Sequence, residues 1–229
     1  MYKFLKGELT GWRKTDVIWL LISTSAILGL SIHWQDNVIG ILSAVTGVWC
    51  VILTGKGKRS SFIFGTFNVL FYAYIAFGAQ YYGEVMLNLL YYFPMNFVGW
   101  SAWKKHMNSE TGEVKKCRLP FKKGILIYSL TILAVFLYGL LLKFLNGKLP
   151  FVDSMSAVVS VTAQILSVWR LTEQWILWIV VDIVTVIMWW INFSQGQENI
   201  SMLLMWSIYL LNAVFMFIHW NREAKENEI

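Results

Sequence analysis

The sequence predicts an all-α membrane protein with eight transmembrane helices, and three observations carry that prediction. Of its 229 residues, 57% are hydrophobic and only 14% are charged, whereas a soluble domain carries roughly a quarter charged residues. Mean hydropathy is +0.56, and the 13 Trp, 10 Tyr and 15 Phe are the aromatic load of a chain that meets membrane interfaces repeatedly. The apolar residues also fall into runs long enough, or nearly so, to cross a hydrocarbon core. These runs lie at about 17–33, 38–54, 61–79, 82–103, 124–145, 151–169, 174–193 and 200–219.

Span 1 follows Lys3, Lys6, Arg13 and Lys14, as a signal peptide would. Its apolar run is too long for an h-region and no small-x-small site follows, so it reads as a helix. Between spans 2 and 3, "GKGKRS" has a superficial likeness to a phosphate loop. It lacks the Walker spacing and any preceding soluble strand, and reads as a topology loop. Span 4 contains Pro94, which removes a backbone donor and obstructs the Leu90 carbonyl. Such a break is tolerable beside a polar cavity, and reads either as a flexible point for gating or as a static kink. The stretch Lys104 to Lys123, "KKHMNSETGEVKKCRLPFKK", reads as a solvated basic linker able to touch anionic lipid. Span 5 then stands alone before spans 6 to 8.

The basic residues orient these spans. Of the 19 Lys and Arg, all but Lys143 and Lys148 fall on the side shared by the two termini. The cytoplasmic face collects positive charge, so both termini are expected inside. The net charge of +6 is thereby read as topology and not as a nucleic-acid surface. Cys50 and Cys117 belong to no metal or disulfide pattern. His33, His106 and His219 share no ligand spacing, and neither G-x-S-x-G nor H-E-x-x-H occurs. No enzyme, metal or cofactor is expected.

A weak repeat runs through the spans. "MLNLLYYFPMNFVGW" (Met86 to Trp100) aligns with "MLLMWSIYLLNAVFM" (Met202 to Met216), setting Asn96 on Asn212. Span 3 aligns with span 7, setting Asn68 on Asp182, and "SAVTG" aligns with "VSVTA". Spans 2–4 and 6–8 are thus read as two parallel triplets joined by span 5, with span 1 outside. Parallel repeats related by an axis along the membrane normal are one construction of transporters, with the substrate site between the halves. The organisation expected is 1–36 tail and extra helix, 37–106 first bundle, 107–148 basic loop and linker helix, and 149–229 second bundle and tail.

The candidate site follows from polar residues inside apolar spans. In "QWILWIVVDIVTVIMWW" (Gln174 to Trp190), Trp175, Trp178, Asp182, Thr185 and Trp189 form one helical stripe. An acid at mid-depth costs about 2.5–3.5 kcal/mol and should face protein or water. Two readings stand: a protonated Asp182 bonded to a neighbouring helix, or an anion site for a cationic substrate with indoles beside it. Trp175 and Trp189, nearer the span ends, suit an interface belt better than Trp178 does. Span 4 adds Asn88, Tyr92 and Asn96 at steps of four, span 8 adds Tyr209 and Asn212, and span 6 adds Gln164. Any one amide could be interhelical glue; together with Asn68 they outline a polar cavity.

"YYGEVMLNLLYYFPMNFVGWSAWKKH" (Tyr81 to His106) and "EQWILWIVVD" (Glu173 to Asp182) closely resemble the PnuC family of bacterial vitamin transporters, from about span 2 to span 8. The resemblance implies a SWEET-like 3-1-3 core of two three-helix bundles in the bacterial inner membrane. It implies facilitated diffusion of nicotinamide riboside, or of thiamine or riboflavin in relatives, with a cytoplasmic kinase trapping the substrate as its phosphate. It also implies a core pocket to which Trp175, Trp178, Asp182, Asn88, Tyr92 and Asn96 contribute, and a homo-oligomer, a trimer being the candidate state. Nicotinamide riboside has a flat cationic ring, a carboxamide and a ribose, which an acid, an indole and amides would suit. Thiamine is also a flat cation. Three competing readings remain: thiamine transport, a proton symporter using Asp182, and a non-transporting receptor.

Overall fold

The chain folds into helices joined by short connections. Its described residues are 2–145, 150–196 and 200–226 in this computed structural model, and they contain no β-strand. Lys148, one of the two cations assigned to the sparse face, lies outside them. A short helix α1 (Tyr2–Leu9) precedes α2 (Lys14–His33), α3 (Val38–Gly55) and α4 (Ser61–Gly78). A capping box opens α2, where the Arg13 N–H donates to the Asp16 carboxylate at 3.0 Å. Asn37 caps α3 by accepting from the Gly40 N–H at 2.7 Å. After α4, three pieces run end to end: α5 (Tyr82–Met86), a π-helical segment (Leu87–Tyr92) and α6 (Phe93–Lys104). Then follow α7 (Phe121–Phe144), α8 (Pro150–Val168), α9 (Gln174–Ser194) and α10 (Ile200–Glu226).

Among the described residues seven helices, α2 to α4 and α7 to α10, are long and apolar enough to cross a membrane. The eighth expected span, 82–103, is helical but is not one α-helix, because the π segment divides it. Pro94 cannot donate to the Leu90 carbonyl. Instead the Phe93 N–H reaches five residues back to the Asn88 carbonyl, which is the π pattern. Pro94 itself falls in the first turn of α6, where a missing N–H is tolerated. The break therefore precedes the proline by a turn.

α4 packs between α3 and the α5–α6 stretch, and α9 packs between α8 and α10. These groups meet where α3 touches α10 and where α6 touches α8. α7 leans on α8, and α2 on α3 and α10. Lipid supplies no hydrophobic drive between helices, so close approach depends on small residues. A Cβ at Gly99 would land on the Phe62 ring, and one at Gly139 on the Phe151 ring.

The basic loops depart from expectation. Lys58 in "GKGKRS" is fully buried, with its Nζ 2.6–3.1 Å from the carbonyl oxygens of Gly7, Thr10, Thr111 and Gly112. Lys56 pairs with Asp16 at 2.9 Å and Glu113 at 3.0 Å. Lys116, also buried, pairs with Glu113 and Glu223. The 105–120 stretch is laced to the α3–α4 loop by the Val114 N–H on the Gly57 carbonyl. It is laced to the α8–α9 loop by Cys117 with Arg170 and Thr172, each bond being 2.9 Å. Val114 and Lys116 are thus packed into a cap, while Lys104, Lys105, Lys115, Lys122 and Lys123 stay exposed, as a solvated basic linker requires. Apart from Glu113 beside Lys116, the partners of these lysines are remote in sequence, which hid the pairing. Both cysteines are free.

Candidate functional site

The middle of α9 faces inward. Trp175, Trp178 and Asp182 line a cavity of about 120 Å³ to which both helix groups contribute. α4 brings Asn68 and Tyr72, while Glu84, Asn88, Tyr92 and Asn96 come from the α5–α6 stretch. Opposite them stand Gln164 from α8 and Trp206 and Tyr209 from α10. An α-helical stripe at steps of four drifts steadily around its helix. A π turn takes in one more residue than an α turn, so the Leu87–Tyr92 segment winds back part of that drift. Four polar side chains spaced by four therefore stay on one wall.

Asp182 is 2% exposed, and its carboxylate has no hydrogen-bond partner among the described residues. The static interhelical bond weighed from sequence is thus not made here. Tyr92 and Trp178 stand with ring centroids 6.2 Å apart. The Asn96 amide nitrogen and the Trp175 indole N–H are buried without a partner, and both residues line the cavity. A buried unmet donor is costly unless a ligand satisfies it. Asn68 donates to the Ser43 carbonyl at 2.9 Å and accepts from the Tyr209 hydroxyl at 3.5 Å. No Lys or Arg is among the described lining residues, so that lining is acidic, amide-rich and aromatic.

Two expected site residues fall elsewhere. Asn212 accepts from the Trp19 indole at 3.4 Å and donates to the Val51 carbonyl at 3.1 Å, pinning α10 to α2 and α3 as interhelical glue. Thr185 is buried, donates to the Val181 carbonyl at 2.9 Å, and lies outside the lining. The interface-belt reading of Trp175 and Trp189 is overturned as well, since they are 2% and 0% exposed. Trp189 donates to the Tyr72 hydroxyl at 3.1 Å and packs on Tyr81, forming an aromatic cluster at one end of the cavity. At the other end Trp175 packs on Trp220, which packs on Trp103. Sequence reasoning missed Glu84, Tyr72 and Trp206. Glu84 was within reach of it, one four-residue step before Asn88.

An all-helical, membrane-crossing bundle with a polar, aromatic cavity between two helix groups defines a carrier for a small solute. The family model described as nicotinamide mononucleotide transporter matches residues 37–222. A nicotinamide riboside transporter PnuC from Neisseria mucosa is 38% identical, over 97% of this chain and 87% of the relative. Its namesake from Haemophilus influenzae is 32% identical, over 96% of each. A crystal structure of the vitamin B3 transporter PnuC superposes with a TM-score of 0.88 at 38% identity, covering 97% of both chains. The chain belongs to this transporter family.

Proposed function

We propose that this protein is a carrier for nicotinamide riboside, working by facilitated diffusion with alternating access, the substrate then trapped inside by phosphorylation. Kinship with nicotinamide riboside transporters supports the substrate, and one observation favours the riboside over its mononucleotide. Among the described residues the cavity lining holds carboxylates and no Lys or Arg. A mononucleotide would bring a phosphate of about −1.5 to −2 charge into that lining with no cation to meet it. The riboside lacks the phosphate and carries a positive ring. In this reading Asp182 and Trp178 hold the pyridinium, Asn88, Asn96, Gln164 and Asn68 take the carboxamide and hydroxyls, and Trp175 and Tyr92 form walls. Asn212 and Thr185 support the bundle.

The α5–α6 stretch is proposed to cross the membrane as an eighth span, giving a 3-1-3 core of α3–α6 and α8–α10 joined by α7. The symmetric contacts of α3 with α10 and α6 with α8 support that arrangement. The charge asymmetry supports cytoplasmic termini, and the trimer implied by the family resemblance belongs to the same proposal.

Titration of nicotinamide riboside, its mononucleotide, thiamine and riboflavin into purified protein tests the substrate. The riboside is expected to bind tightest, and preference for any other overturns the assignment. Counterflow in liposomes separates a carrier from a receptor, which would bind without exchange. One observation favours a second reading, proton symport: Asp182 is free to take a proton. Accumulation abolished by collapsing the pH gradient would establish it, and indifference to the gradient would remove it.

A further inference from the structure

Glu84 lies at the start of α5 and lines the same cavity as Asp182, yet the reading above gives it no role. Its carboxylate faces the Ser156 hydroxyl of α8, within reach of a hydrogen bond. Two turns on, Tyr92 repeats the pairing with Ser160, and Gln164 continues the same α8 stripe into the cavity. Steps of four on both helices thus form a polar seam between the two helix groups. Glu84 is its end nearest the α4–α5 connection, away from the basic cap. The Asn88 amide is tied to the Glu84 backbone carbonyl at 2.8 Å, so the carboxylate stands on a braced turn.

A neighbouring hydroxyl does not balance the charge of a carboxylate, and no Lys or Arg is among the described residues that line this cavity. An acid without a counter-charge in an apolar surrounding is expensive to keep. Asp182 lies deeper, in the middle of α9, in the same position of lacking a cation. We propose that Glu84 is a second cation-recognition residue, which meets the positive ring first at the outer end of the seam. With Asp182 it makes the site select a flat organic monocation over an uncharged molecule of the same shape. The proposal rests on the riboside reading, and refines it from shape to charge.

The probe pair is nicotinamide riboside and its uncharged 1,4-dihydro form, which share size, carboxamide and ribose. Calorimetric titration of the wild-type protein should show about tenfold preference for the cation, and Glu84→Gln should cut that preference about threefold or more. Affinity for the dihydro form should stay within about twofold. Glu84→Met, which removes both charge and hydrogen bond, is measured in parallel and should lose the preference to the same degree. Ser156→Ala removes the bond but keeps the charge, and should retain the preference. Equal loss for both probes in Glu84→Gln, or loss of the preference in Ser156→Ala, assigns Glu84 a structural bond only and overturns the proposal. Equal wild-type affinity for the two probes overturns it too. Binding of neither probe by the wild type fails the riboside reading itself, a result distinct from the others.

Discussion

Asp182 is the proposed centre of the cavity's chemistry, because a carboxylate that is 2% exposed and accepts no hydrogen bond is left to meet a ligand or a proton. Asp182→Asn keeps the shape and removes the charge. It is expected to weaken nicotinamide riboside binding about tenfold, about 1.4 kcal/mol. Unchanged affinity in a calorimetric titration would end the charge-pairing idea. A glycine gives a second test at the same scale. A Cβ at Gly47 would land on the Tyr209 hydroxyl, the Asn68 amide and the Met205 sulfur, so two cavity side chains must move. Overpacking of this kind costs about 1–3 kcal/mol. Gly47→Ala should lower both the thermal midpoint and substrate affinity, while Gly83→Ala, which meets nothing within 4 Å, should alter neither. At this scale the sequence was informative wherever a polar residue sat deep in an apolar run, as Asp182, Asn68 and Asn88 do. It was silent on Tyr72 and Trp206, since an aromatic residue is equally at home in core, lipid or cavity. It could not show that Asn212 lies outside the cavity lining, because its partners on α2 and α3 lie far away along the chain.

Among the elements, spans with uniform apolar composition were legible nearly to their ends, because length and hydropathy suffice to define them. The 82–104 stretch was legible only as a helix with a fault near Pro94. Which way the backbone would repair that fault depends on packing against α4 and α8, and local sequence does not encode it. The repair chosen, a π segment, aligns Glu84, Asn88, Tyr92 and Asn96 on the cavity wall. Restoring the donor should undo this. In Pro94→Ala the residue 94 N–H can bond the Leu90 carbonyl, which lets an α register propagate backward. Glu84 and Asn88 would then rotate away from the cavity. Thermal stability is expected to hold or rise while riboside affinity falls about fivefold, on the order of 1 kcal/mol. A parallel loss of both would mean that the proline is merely structural. Intact affinity would mean that the π segment survives without it.

For the molecule as a whole, the cap at the basic end is where charge patterning misled most. Lysines in a loop between two spans satisfy the topology rule whether they are solvated or buried, so the rule could not announce that Lys56, Lys58 and Lys116 would be locked among acids and carbonyls. The cap joins α1, the α2 start, the α3–α4 loop, the 105–120 stretch and the α10 end, and thus holds both helix groups at one end. Lys58 reports on it through pH. Burial pulls its ammonium down to about 8, with Lys56 and Lys116 adding to the fall and Glu113 and Glu8 opposing it. An unfolded lysine titrates near about 10.4. Below pH 8 both states hold the proton, and this group's contribution does not change with pH. Between about 8 and 10.4 the unfolded chain keeps a proton that the folded chain releases, so the contribution to stability rises with pH. Thermal unfolding of detergent-purified protein should therefore show the wild type gaining on Lys58→Met as pH climbs from 8 to 10. A constant difference between the two across that window would mean that the four carbonyls around the ammonium hold its proton against burial, and that the cap is braced by a permanent charge.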